Sequence, residues 1–192
     1  MSESQVAKFF DGLAENWDNG NSLPPLSLIE LTGIKEGDKV LDVACGTGVI
    51  TPLLYSLCKK PVLGIDISQK MIEKAKENHK GEEGVSFLCQ DFCEFDGKEE
   101  YDLVVVYNAF PHFLDVEAFK KALQKTLKIG GKAAILHSLS RKQLEKHHDG
   151  LGPKISRDLV DPEQESRVFL PEFEILIAEE SDHHYALVLS KK

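Results

Sequence analysis

Three aspartates, a pair of glycines and a set of histidines are the residues whose types and spacing could do chemistry. Asp42 lies in the apolar run "VLDVACGTGV", Val40 to Val49, just ahead of a Gly-x-Gly turn at Gly46 and Gly48. Glycine has no side chain to hold a ligand off, so a strand that runs into such a turn and reopens as a helix brings bare backbone and N–H groups against a bound molecule. Asp66 closes "LGID" and Asp91 follows "FLCQ". One carboxylate accepts from two hydroxyls, which suits the acid at the second strand end to a ribose diol. A single acid at such a place is commonly a helix cap or a solvated strand end. Three at successive strand ends point to a nucleoside-bearing ligand.

The histidines suggest proton transfer. His112 follows the fourth apolar run, His137 closes the fifth, and His147 and His148 stand beside Asp149 ahead of a glycine-rich stretch. An imidazole with an ordinary pKa near 6.5 is a general base at neutral pH, so His112, His137 and His148 are the candidate catalytic residues. The ordinary alternative is a histidine hydrogen-bonded in a polar loop. A divalent metal held by His137, His147 or His148 with Asp149 is a sharper reading, but adjacent histidines seldom both reach one ion, and no metal site is assigned. Cys45 reads as a small filler of the glycine turn, and Cys89 as an inert thiol on a core-facing strand position.

These residues need a scaffold that gathers strand ends. Short β-rich runs at "KVLDVA", "PVLGID", "VSFLCQ", "YDLVVVY" and "GKAAILHS" alternate with helical spacing, as in Val49, Ile50, Leu53, Leu54 and Leu57 or Val116, Phe119, Ala122, Leu123 and Leu127. That alternation predicts a parallel sheet with helices on both faces. Pro52 fits a first helical turn, Ser68 an N-cap, and the Gly130-Gly131 pair a helix stop before the fifth strand. "FEILIAEESDHHYALVLSKK" reads as two strands about a polar turn at Asp182 and His183. The expected fold is therefore α/β, a Rossmann-like, doubly wound, seven-stranded sheet, mostly parallel with a C-terminal antiparallel hairpin. Val6, Phe9, Phe10, Leu13 and Trp17 form an amphipathic stripe expected to pack mostly on the sheet. Residues 1–24 are read as a helical cap and 139–171 as a substrate-side loop or lid within one domain, 1–192.

Composition narrows the partners. With 192 residues, 42% hydrophobic and 29% charged, one domain is the default, and a net charge of −9 disfavours nucleic acid or an anionic membrane as the binding partner. No apolar run reaches the roughly 20 residues needed to span a bilayer, and the N-terminus lacks a signal-peptide pattern, so a cytoplasmic monomer or homodimer acting on a small molecule is expected. Two cofactor classes compete for the glycine turn. A dinucleotide site wants a third glycine where Thr51 stands, and no Gly-Lys-Ser/Thr ending follows to form a phosphate loop.

"VLDVACGTGV" followed by "VLGIDIS", "FLCQDF" and "YDLVVVYNAFPHF" resembles the class I S-adenosylmethionine-dependent methyltransferase family, with its motifs in order from about Val6 to Gly131. The resemblance implies S-adenosylmethionine as methyl donor and a small-molecule methyl acceptor. It sets Asp42, Ala44, Gly46 and Gly48 around the methionine end, Asp66 on the ribose, and Ile67 and Met71 near the adenine. Asp91 and the Phe92 N–H would read the adenine edge, and Asn108 and Ala109 would face cofactor and substrate. "NAFPHF" departs from the Asn/Asp-Pro-Pro-aromatic signature of methyltransferases acting on adenine or glutamine amino groups, which favours an O-, C- or S-acceptor. The alternatives are an NAD-linked oxidoreductase, disfavoured by Thr51, and a non-catalytic S-adenosylmethionine-binding regulatory or partner domain.

Overall fold

The computed structural model describes residues 5–18, 23–148 and 155–192, with the backbone alone for 145–148. In chain order the elements are α1 (Gln5–Leu13), α2 (Leu26–Glu30), β1 (Val40–Val43), α3 (Thr51–Cys58), β2 (Val62–Asp66), α4 (Gln69–Asn78), β3 (Val85–Cys89) and β4 (Tyr101–Tyr107). There follow α5 (Val116–Thr126), β5 (Leu127–His137), α6 (Arg141–His148), α7 (Pro162–Ser166), β6 (Phe173–Glu180) and β7 (Tyr185–Lys191). The seven strands lie in the order β3-β2-β1-β4-β5-β7-β6. β1 pairs in parallel with both β2 and β4, whereas β7 runs antiparallel to β5 and to β6. Both the parallel sheet and the terminal hairpin match the expectation from sequence.

Period-two alternation sorts the core into two layers. Val104 and Val106 of β4 join Leu41 and Val43 of β1 and Phe119 and Leu123 of α5 on one face. Leu103 and Val105 join Val40, Leu54 of α3 and Ile29 of α2 on the other. Burial on both faces is why the central strands read as unbroken apolar runs. The chain winds outward from β1 through β2 to β3, then crosses back to β4 on the other side of β1. That reversal is a switch point, where neighbouring connections leave in opposite directions and a crevice opens beyond the carboxyl ends of the strands.

Two local expectations change. Gly130 and Gly131 do not end a helix: α5 stops at Thr126, and both glycines lie inside β5, where the pairing slips from Tyr101↔Leu127 to Leu103↔Lys132. Gly130 has φ +76°, and a Cβ at Gly131 would come within 2.9 Å of the Lys128 carbonyl, so the pair serves a bulge. The segment read as a substrate-side loop or lid, 139–171, is partly helical among its described residues. It carries α6 and α7, and Leu159 and Phe169 are buried in the core. No described helix is long and apolar enough to cross a membrane.

Candidate functional site

A cavity of about 310 Å³ opens at the switch point, within the size range of small-molecule sites. Its floor is the turn after β1. Ala44 and Gly46 both take left-handed φ, 55° and 54°, which lays the backbone of the turn open. The turn is fixed from the next strand, since the Gly46 N–H donates to Asp66 Oδ2 at 2.9 Å and the Ser68 N–H to Asp66 Oδ1 at 2.8 Å. Each oxygen of Asp66 thus spends one lone pair on backbone and keeps another for a ligand hydroxyl. Ser68 caps α4, accepting from the Met71 N–H at 3.1 Å, and so sets Met71 and Ile67 on the cavity wall.

Asp42 is buried on β1 and accepts from Thr51 Oγ1 at 2.6 Å. Burial pushes its carboxyl up to about 7, opposed by the Thr51 hydrogen bond and reinforced by Asp66. Asp66 is also raised by burial, against the pull of the Ser68 and Gly46 N–H groups. Thr51 therefore has a positive role where a dinucleotide site would carry glycine: it is fully buried and holds the acid at the cavity floor. Asp91 caps the short helical turn Phe92–Glu94 through the Cys93 N–H at 2.8 Å. Cys93 on the same wall has its thiol pushed up to about 12 by burial and by Asp91, and burial also raises the Cys45 thiol, so both hold their protons at neutral pH.

The far wall comes from the loop after β4. Asn108 has φ 55°, and its side chain ties the ends of β4 and β5 together, Oδ1 accepting from the Ser138 N–H at 2.9 Å and Nδ2 donating to Ser138 Oγ at 3.1 Å. Ala109, His112, Phe113 and Leu114 complete this wall. His112 Nδ1 lies 2.9 Å from the carbonyl oxygen of Ile155. A carbonyl only accepts, so Nδ1 carries the proton and, in the neutral ring, Nε2 carries the lone pair.

The roof is the N-terminal segment. Its stripe does not lie flat on the sheet as expected: Leu13 is exposed, while Val6, Phe10 and Trp17 line the cavity. Phe10 meets Trp17 and His112 edge to face, with centroids 5.5 and 4.8 Å apart. Two acids fasten this cap. Asp11 accepts from Ser68 Oγ and the Lys70 N–H, at 2.5 and 3.0 Å, and Asp18 from Thr47 Oγ1 and Asn78 Nδ2, at 2.5 and 2.8 Å.

The cavity thus gathers Asp42, Ala44, Gly46, Asp66, Ile67, Met71, Asp91, Phe92, Asn108, Ala109 and His112. Gly48 is not on its wall. With φ +84° and a Cβ position 2.7 Å from the Phe87 ring, Gly48 is required by the turn and by close packing. His137 is fully buried, edge to face with Tyr185 at 5.7 Å, and is outside the lining. The side chains of His147 and His148, and all of Asp149, lie outside the described residues. The N-terminal "FFDGLAENWD", whose resemblance implies aromatics closing the cofactor pocket, does put Phe10 and Trp17 on the lining, whereas sequence reading missed Phe113 and Asp115, since a core-type aromatic and a helix cap carry no chemical signature. Among the described residues, no three potential ligands cluster for a metal ion.

The donor set suits a cationic nucleoside ligand. Four carboxylates, Asp42, Asp66, Asp91 and Asp115, line the cavity, and no lysine or arginine does among the described residues. Residues 40–131 match the family model described as a methyltransferase domain. The chain is 30% identical over 152 residues to a ubiquinone biosynthesis O-methyltransferase of Bradyrhizobium diazoefficiens, covering 68% of this chain and 60% of that protein. It is 36% identical over 96 residues to a malonyl-[acyl-carrier protein] O-methyltransferase of Priestia megaterium, covering 48% and 34%. The chain spans less than two thirds of the length of these curated relatives. A SAM-dependent methyltransferase from Aquifex aeolicus shares the fold, with TM-score 0.76 and 19% identity over 95% of this chain and 98% of that one.

Proposed function

Because this chain belongs to the class I S-adenosylmethionine-dependent methyltransferase family, we propose that it methylates an oxygen of a small-molecule acceptor, with His112 as general base. The observation that carries this reading is the meeting, in one cavity, of the strand-end acids Asp42, Asp66 and Asp91 with His112 from the loop after β4. The two O-methyltransferase relatives support oxygen as the acceptor atom.

When bound, S-adenosylmethionine supplies a methyl group activated by a sulfonium, which departs as a neutral thioether. Asp66 would bind the ribose hydroxyls with the lone pairs that Gly46 and Ser68 leave, and Asp91 with the Phe92 N–H would hold the adenine edge. The buried acids give positive charge a favourable place in a low-dielectric pocket. Phe10 and Trp17 exclude water over the reacting atoms, and Ala109 and Phe113 confine the acceptor. His112 Nε2 would take the proton of the acceptor hydroxyl as that oxygen is methylated. The Ile155 carbonyl then stabilises the imidazolium through Nδ1–H.

Calorimetry and turnover test this. S-adenosylmethionine and S-adenosylhomocysteine should raise the melting temperature where NADH does not. His112→Ala should lower kcat about 10²- to 10⁴-fold across a panel of phenolic and carboxylic acceptors while leaving S-adenosylhomocysteine affinity within a few fold. A melting-temperature rise with NADH alone would overturn the cofactor assignment, and full turnover by His112→Ala would remove the base.

A further inference from the structure

We propose that Arg157 is the positioning residue that holds His112 in its Nδ1–H form, by clamping the strap 155–165 across the loop that carries the histidine. The proposal rests on the reading of His112 as the base.

Arg157 grips the backbone on both sides of His112. Its own N–H donates to the Pro111 carbonyl at 2.9 Å, and its Nε donates to the Phe113 carbonyl at 3.2 Å. Its guanidinium lies over the Phe110 ring, 4.6 Å from the centroid. The remaining edge of the fork meets Glu165 in two parallel contacts, Nη1 to Oε2 at 3.1 Å and Nη2 to Oε1 at 2.9 Å. Glu165 is only 3% exposed and sits on α7, where its N–H donates to the Asp161 carbonyl at 2.8 Å. Two residues ahead of Arg157, the Ile155 carbonyl receives the His112 Nδ1 proton.

The geometry makes one device of these contacts. Ile155 can face His112 only if the strap lies in register with residues 111–113, and the Arg157 contacts to Pro111 and Phe113 set that register. Glu165 anchors the guanidinium from a rigid element. Taking two charges out of water costs several kcal/mol per ion, and apolar residues of similar volume often stabilise as well as a buried pair does. Fastening alone therefore does not require an ion pair here. What apolar packing does not offer is direction: the planar fork spans a carboxylate and a carbonyl at fixed angles, which a lysine ammonium does not reproduce. A free imidazole favours the Nε2–H tautomer, so the form with Nε2 as acceptor needs a fixed carbonyl at Nδ1.

Two-bond proton–nitrogen correlation spectra of the full chain with S-adenosylhomocysteine, on a sample assigned with His112→Asn, read the tautomer directly. Wild type should give the Nδ1–H pattern for His112. Arg157→Lys should shift it towards Nε2–H and lower kcat roughly tenfold, the scale of one orienting hydrogen bond, with S-adenosylhomocysteine affinity unchanged. The double variant Arg157→Met/Glu165→Leu replaces the pair by apolar volume, keeps a folded chain in play, and should show the same tautomer shift. Retention of the Nδ1–H pattern in a folded variant would overturn the clamp, as would an Nε2–H pattern in wild type. A tautomer shift in both variants, together with turnover unaffected by His112→Asn, would sustain the clamp and remove the base.

Discussion

Asp66 shapes the glycine turn and is the proposed partner of the ribose, and its substitution tests both roles. Both oxygens already hold backbone N–H groups of Gly46 and Ser68, so the acid shapes the glycine turn before any ligand arrives. Asp66→Ala should weaken S-adenosylmethionine binding by about 2 kcal/mol, the range for hydrogen bonds to a charged group. It should also speed amide exchange at Gly46 and Ser68, which calorimetry and hydrogen exchange would measure separately. Unchanged affinity in a folded variant would remove Asp66 from the ligand. At this scale the sequence was informative where chemistry needs a particular residue type: the three aspartates lie on the cavity. It was silent on Thr51, which looked like a missing glycine and is the hydrogen-bond donor to Asp42. Partners nine residues apart across a turn leave no periodic trace. Gly48 lies off the cavity wall, and a glycine required by the Phe87 ring looks the same in sequence as one that faces a ligand.

The elements were legible where periodicity is strict and less so where a contact partner decides. β1 to β4 follow their apolar runs, but β5 extends back to Leu127, because the bulge at Gly130 lets it pair with Tyr101. α1 shows the limit most clearly. Its stripe predicts an apolar neighbour, and that neighbour is the open cavity rather than the sheet. Its seat also has a polar part, with Asp11 on the start of α4 and Asp18 bridging Thr47 and Asn78. These hydrogen bonds add to the buried Ala7 and Ala14 and the Phe10 ring contacts, and with Leu13 exposed the cap has the pattern of a segment that opens locally more readily than the core. Asp11→Ala combined with Asp18→Ala should leave global stability within about 1 to 2 kcal/mol of wild type. Amide exchange across α1 should rise and S-adenosylhomocysteine binding weaken about tenfold as the roof loosens. Protection of α1 equal to wild type would show that Phe10 and Trp17 alone seat the cap.

For the whole molecule, the acids of the cavity tie stability to pH in an unusual direction. A carboxylate paired in the native state usually stabilises more as pH rises, but Asp42 is raised from 3.8 to about 7, and Asp66 moves the same way, burial being the main cause for both. Between these values the folded chain binds more protons than the unfolded one, so the free energy of unfolding falls as pH climbs from about 4 to 7. Asp102 acts oppositely: against the burial that would raise it, Lys128 and the Lys39 N–H hold its carboxyl low, and its contribution is lost only under acid conditions. Urea denaturation of the ligand-free protein should therefore show stability declining from pH 5 to pH 7.5. Asp42→Asn keeps an acceptor for Thr51 and carries no charge, so it should flatten that decline and exceed wild type at pH 8. The excess should reach up to roughly 4 kcal/mol, since each tenfold change in proton affinity is worth about 1.4 kcal/mol. A cationic ligand favours the ionised acid, so S-adenosylmethionine should bind the Asn variant more weakly, and in wild type its stabilising effect should grow with pH and release protons on binding. Stability that rose from pH 5 to 7.5 in wild type and in Asp42→Asn alike would mean that Asp42 is ionised throughout, and that the cavity does not hold its acids at the expense of the ligand-free fold.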